Sequence, residues 1–181
     1  MSGAVLIELP AWALVSERRR GHIERVTRLL LSWADLLKVD QPERDAWRDA
    51  ALWHDALRDA PESQLRELAS TDGYLPEMLH GPAAAAHLEI AGEGRRDVIE
   101  AIRWHTIGHP EWSRTGRALY MADYLEPGRS FARADRAFLA GHVRDDFDGV
   151  FRQIVRQRLL WKISEGYELF PQTVALWNSV R

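Results

Sequence analysis

Apolar residues recur at three- and four-residue steps along much of the chain. Ile23, Val26, Leu30, Trp33 and Leu37 form one stripe between Ser16 and Lys38. That spacing predicts an amphipathic helix, opened by Ser16 and Glu17. Ala46, Ala50, Trp53 and Leu57 form the inner stripe of a second helix, in which Pro42 suits the first turn and Asp40 or Gln41 the cap. Pro61 opens a short helix through Ala69. "STDGYLP" reads as a loop, Leu75 to Leu79 as a single turn, and "PAAAAHLEIA" as a helix restarting after Gly81 and Pro82. The run "GEG" at 92 to 94 breaks it. Val98, Ile99, Ile102 and His105 share the face of the next helix, and "TIGHPEW" is a loop. Ser113 caps a helix running to about Leu125, which Pro127 and Gly128 end. Helices from Arg133 to Asp146 and Val150 to Glu165 follow, and a last one starts near Pro171. No strand-like alternation, internal repeat or long linker interrupts this. The expected fold is all-α: one helical-bundle domain over 1–181, its core about 16–180.

Composition narrows what such a bundle can do. With 181 residues, 46% of them hydrophobic, one sizeable core is affordable. The net charge of −3, with no basic block, counts against a nucleic-acid partner. An anionic ligand would therefore be drawn by local arginines or a metal. No cysteine is present, which excludes disulfides, thiolate metal sites and cysteine nucleophiles. The N-terminal "MSGAVLIELPAWALV" lacks a basic leader and is interrupted by Pro10, so neither signal peptide nor membrane span is expected. The cytoplasm is the expected location.

The stretch "AALWHDALRD" sets the chemical question. It places His54 and Asp55 directly behind the apolar Ala51, Leu52 and Trp53. A carboxylate entering a core needs a partner. His22, His80, His105 and Asp123 are each at or beside an apolar face, several near helix ends. Taken singly, such a histidine is ordinarily a hydrogen-bonded core residue. In the order H…HD…H…H…D, with a bundle able to bring separate helices to one interior point, the set reads as metal ligands. Mixed imidazole and carboxylate donors suit iron, manganese or zinc better than magnesium or calcium. His87 and His142 read as solvated. Trp33, Trp47, Trp53, Trp104 and Trp161 read as core, and Trp112 is either core or a surface on which a base could stack.

Four segments carry a resemblance to a known family: "RRGHIERV", "ALWHDALR", "LHGPAAAAHLE" and, most specifically, "HTIGHPEWSRTGRALYMADYLEPGRSF" at 105 to 131. From about Arg18 to Asn178 the chain resembles the HD-domain phosphohydrolases, and within them the YqeK-type symmetrical diadenosine tetraphosphate hydrolases. It departs in carrying Arg58 where that family usually has lysine, and Trp112-Ser113 where it has methionine-serine.

The resemblance implies a two-metal site, iron on family grounds with manganese as the alternative. His22, His54, Asp55 and Asp123 would hold one ion, and Asp55, His80 and His105 the second, with Asp55 bridging. Paired cations activate a shared water, withdraw charge from phosphoryl oxygens and hold the line of attack. The implied substrate is a dinucleoside polyphosphate cut at its centre into two ADP, with Asp55 and Arg58 catalytic. Arg58 stands one turn past His54, and Arg129 follows the "EPG" turn. Both are arginine forks suited to phosphate oxygens. Thr106 and Gly108, a hydroxyl and an unobstructed backbone, are the further substrate-binding residues expected. Asp59 and Glu126 are expected to orient histidine rings. An HD hydrolase of another nucleotide, and a non-catalytic nucleotide- or metal-binding module, stay open as alternatives, as does an oligomer.

Overall fold

The computed structural model describes residues 7–69 and 73–181. The "STDGYLP" loop and the apolar N-terminus therefore fall partly outside the described residues. Nine α-helices and no strand occur among those described: α1 Glu17–Leu37, α2 Gln41–Trp53, α3 Glu62–Ala69, α4 His80–Ile90, α5 Arg96–Trp104, α6 Arg114–Leu125, α7 Arg133–His142, α8 Phe147–Ser164 and α9 Pro171–Val180. A single 3₁₀ turn, Pro76–Met78, precedes α4. No described helix is long and apolar enough to cross a membrane.

The helix ends follow from local chemistry. Ser16 Oγ accepts from Arg19 N at 3.4 Å, and Asp40 Oδ1 accepts from Glu43 N at 2.9 Å, so both side chains occupy orphan donors of a first turn. Lys38 closes α1 in a left-handed conformation, φ 52°. Two boundaries differ from expectation. Helix α7 stops at His142 and α8 starts at Phe147, because Asp146 serves as the α8 cap and accepts from Gly149 N at 2.8 Å. Helix α4 begins at His80, so Gly81 and Pro82 sit inside its first turn. There the missing proline N–H is no loss, since that turn has no intrahelical acceptor for it.

The core is where α1, α2, α5 and α6 meet, with α4 covering α5 and α3, and α8 covering α6. Ile23, Val26 and Leu30 of α1 are fully buried, and Val26 and Leu30 share one core cluster with Trp47 and Ala50 of α2 and Leu119 and Met121 of α6. Trp33 is buried, and its indole N–H donates to Ala140 O at 3.1 Å, tying α1 to α7. The expected tryptophan core is corrected at Trp161, which is 54% exposed where α8 borders a cleft. Trp53 and Trp104 are only half-buried at the core's rim.

Buried Arg136 of α7 shapes the turn behind α6. Its guanidinium donates to the carbonyls of Tyr124 at 2.9 Å, Arg129 at 3.0 Å and Phe131 at 3.3 Å, and also to that of Glu126. One side chain thus satisfies the carbonyls left over where Pro127 and Gly128 end the helix. Arg136→Met would leave several buried acceptors unpaired and should cost about 3 kcal/mol of stability. Asp40→Ala, which removes one exposed cap, should cost about 1 kcal/mol. Urea denaturation curves read both, and near-equal losses would contradict this role for Arg136.

Candidate metal centre

Five helices deliver the six candidate ligands to one point. His22 projects from α1, His54 and Asp55 leave the C-terminal end of α2, His80 opens α4, His105 closes α5 and Asp123 lies in the last turns of α6. All six are buried. Their donor atoms fall into two groups, His22 with His54 and Asp123, and Asp55 with His80 and His105, each within 4.8 Å. Asp55 faces both groups with different oxygens. Its Oδ2 is 3.6 Å from His22 Nε2 and 3.7 Å from His54 Nε2. Its Oδ1 is 3.0 Å from His80 Nε2 and 3.5 Å from His105 Nε2. Asp123 Oδ1 is 3.2 Å from His22 Nε2.

The backbone sets the aim of the rings. His54 Nδ1 is 2.8 Å from Ala51 O, and His105 Nδ1 is 2.7 Å from Ile102 O. A carbonyl only accepts, so each Nδ1 carries the proton and each Nε2 presents a lone pair to the centre. His22 Nδ1 is held by Glu126 Oε1 at 3.2 Å in the same way. Glu126 in turn is gripped by Arg25 at 2.6 Å and by Gly128 N at 2.6 Å. This is the outer support by which metal-binding histidines are commonly oriented.

The charge states are those a cation site needs. Burial opposes ionisation of Asp55, but His54, His105 and His80 outweigh it and hold its carboxyl well below the usual range. Burial likewise opposes Asp123, and Arg129 and His22 hold it well down. Burial lowers His54 to about 4, leaving a neutral imidazole. His22 is the exception: burial pulls it down, yet Asp123 and Glu126 raise it to about 9. Ionised carboxylates and neutral imidazoles are the metal-binding protonation state, and the proton on His22 is one that a divalent ion displaces. The buried donor set therefore fits a bound metal.

The HD domain family matches residues 19–137, which include all six of these residues. The chain belongs to the HD-domain family. Symmetrical bis(5'-nucleosyl)-tetraphosphatase from Halalkalibacterium halodurans is 26% identical, over 92% of this chain and 90% of that one. The Bacillus subtilis protein of the same name is 24% identical, over 91% and 90%. A crystal structure of a Clostridium acetobutylicum HD superfamily hydrolase, described as involved in NAD metabolism, superposes with a TM-score of 0.77 at 25% identity, covering 92% of this chain and 90% of that one.

Beside the HD centre lies a cleft of about 350 Å³, walled by Asp55, His80, His105 and Asp123 on one side. Arg58, Thr106 and Arg129 line it as well. Glu62 pairs with Arg66 at 2.7 Å, leaving Arg58 to the cleft. Arg129 is held against Asp123 Oδ1 at 2.6 Å. Gly108 does not line the cleft. Its φ of +90° serves a close approach to Leu176 of α9. Of the two readings of Trp112, core is the one found: it is buried, and its indole N–H donates to Glu100 O at 3.1 Å. Asp59 accepts from Ser16 N at 2.7 Å and so anchors the start of α1. His142 is exposed, and His87 is half-buried against Trp12.

Two cleft arginines escaped sequence reasoning. Arg19 ion-pairs with Asp55 Oδ2 at 2.7 Å, and Arg158 of α8 reaches within 3.6 Å of Asp123 Oδ2. Arg19 had a readable signal, being three residues ahead of His22 on one helix face. Arg158 had none, because α8 is remote in sequence from every other residue here.

Gly81 tests the packing behind the HD centre. A Cβ there would meet Ile102 O at 2.8 Å and the His105 ring at 3.1 Å. Gly81→Ala should cost roughly 1–3 kcal/mol and displace the His105 imidazole. The expected readout is a lowered denaturation midpoint together with weakened manganese binding by calorimetry. Manganese affinity equal to wild type would mean the ring is not fixed by this contact.

Proposed function

We propose that this HD-domain protein is a metal-dependent phosphohydrolase that splits diadenosine tetraphosphate at its centre into two ADP. The observation that carries the reading is the convergence of four imidazoles and two carboxylates at the foot of a cleft ringed by Arg19, Arg58, Arg129 and Arg158. Relatives named for that activity extend over about nine-tenths of both chains, which supports the substrate. His22, His54, Asp55 and Asp123 would hold one divalent ion, and Asp55, His80 and His105 the other. Iron is the first choice and manganese the second. Bound there, the ions supply Lewis acidity and an activated water at neutral pH.

The chain's own residues do the rest. The arginines bind and orient a polyphosphate by paired hydrogen bonds to its oxygens. Arg58 and Arg129 flank the inner phosphates, and the Thr106 hydroxyl, on the cleft wall 3.4 Å from His105 Nε2, is a further donor. Gly108 acts indirectly, through the loop packed on α9. Water adds to one inner phosphorus, the bridging P–O bond breaks, and ADP departs on its terminal phosphate oxygen. That leaving group is weakly basic, so no dedicated general acid is required. A small molecule of the dinucleotide class is thus the partner, and the cytoplasm is the proposed location.

Purified protein supplied with manganese or iron(II) should convert diadenosine tetraphosphate to ADP, with no ATP or AMP among the products. ATP and AMP in equal amounts would reject the symmetrical cut. His54→Ala and Asp55→Ala should each lose bound metal and reduce turnover on the order of a thousandfold. His142→Ala, an exposed histidine, should retain both. Metal and turnover retained in Asp55→Ala would reject the two-ion assignment.

Metal should also stabilise the fold without reference to activity. At about 100 times its Kd, manganese contributes about 2.7 kcal/mol. For a chain of this size the melting temperature should rise by roughly 5–10 °C and fall again with chelator. No shift in wild type would reject metal binding by the folded chain, and an equal shift in Asp55→Ala would place the bound metal elsewhere.

A further inference from the structure

Helix α8 lies outside residues 19–137, yet it builds the wall of the cleft that faces the HD centre. Arg158, Trp161 and Lys162 line that wall together. At spacings of three and four they share one helix face. The Arg158 guanidinium lies over the Tyr120 ring, 4.1 Å from its centroid. Its buried Nη1 makes no hydrogen bond, its one carboxylate neighbour being Asp123 Oδ2 at 3.6 Å. Lys162 is 9% exposed and has no carboxylate within ion-pair distance among the described residues. Burying cations that are loosely paired or unpaired is costly. One turn apart and aimed at the same space, the two are placed to receive an anion from outside.

Trp161 adds a different feature. It presents 54% of its surface at the rim. There it joins Tyr124 and Phe131 around a second hollow of about 500 Å³, which meets the first at Asp123, Arg129 and Arg158. Tyr124 and Phe131 stand edge to face, their centroids 5.6 Å apart. An aromatic hollow opening directly off a row of cations has the layout of a nucleotide: a flat apolar base joined to a charged tail.

We propose that the α8 wall seats one nucleoside diphosphate half of the substrate, with Arg158 and Lys162 on phosphate oxygens and the base against Trp161 in the Tyr124–Phe131 hollow. This rests on the nucleotide reading given above. Base stacking on an aromatic side chain tolerates any base, because each has a π-face.

Titration calorimetry of the full chain with ADP and with inorganic pyrophosphate tests the wall. Trp161→Ala should weaken ADP about tenfold and pyrophosphate far less, lowering the ratio of the two affinities by about fivefold or more. Trp161→Phe should recover most of the ratio. Lys162→Met should weaken both ligands by about tenfold. A ratio unchanged within roughly twofold in Trp161→Ala, no effect of Lys162→Met, or no ADP binding by wild type would each overturn the proposal. Failure of the substrate reading looks different. Wild type would then bind ADP with the expected dependence on Trp161, yet leave diadenosine tetraphosphate intact.

Discussion

Everything in this molecule is arranged around a buried collection of acceptors that repel one another. His54 Nε2 presents a lone pair 3.4 Å from Nε2 of His22, and both lie within 4 Å of the same carboxylate oxygen of Asp55. In a core of low polarizability such a set is stable only when positive charge sits among it. Part of that charge comes from the chain, through Arg19 on Asp55 and Arg129 on Asp123. Another part is the proton that Asp123 and Glu126 hold on His22 up to about 9. A divalent ion brings more charge to the same point than a proton does, which is why a donor set of this kind selects metal.

Holding repelling groups together requires a scaffold that cannot relax, and the helix termini provide it. His54 and His105 stand at C-terminal ends, where the carbonyls of Ala51 and Ile102 lie three residues back and fix each ring. Asp55 lies in the turn after α2, free of helical geometry, so its two oxygens reach both histidine pairs. The small residues around them are part of the same requirement. Ala50, Ala51, Ala83, Ala84 and Ala122 are wholly buried, where α2 meets α6 and α4 meets α5. Larger side chains there would separate the ligands that the helices exist to converge.

Much of this was legible in the chain. Apolar spacing gave the order of α1 to α6 and the starts of α1 and α2, because capping groups such as Ser16 and Asp40 mark helix starts by local chemistry. The His-Asp pair announced itself by its place behind an apolar run. The α7–α8 junction was not legible, since Val143, buried at the end of α7, extends the helical stripe past the stop. Trp161 misled for a related reason: periodicity tells which residues share a face, not whether that face meets the core or a cleft. Arg158 and Lys162 carry no motif, and only tertiary packing brings α8 over the centre. Gly108 shows the converse, a residue whose conformational role was visible while its neighbour, Leu176, was sixty-eight residues away.

The arginines tie cation retention to anion recognition. Arg19, Arg129 and Arg158 all face the carboxylates of the candidate metal site, and all line the cleft an anionic ligand would enter. Each guanidinium has five donors, and a single carboxylate engages only some of them. Arg19 illustrates this: Nη1 reaches Asp55 while its buried Nε has no partner. On the function proposed above, a bound metal would neutralise the carboxylates and loosen their hold on these arginines, freeing donors for phosphate. Ligands of opposite sign would then favour each other through shared side chains, a coupling that linkage requires to act equally in both directions.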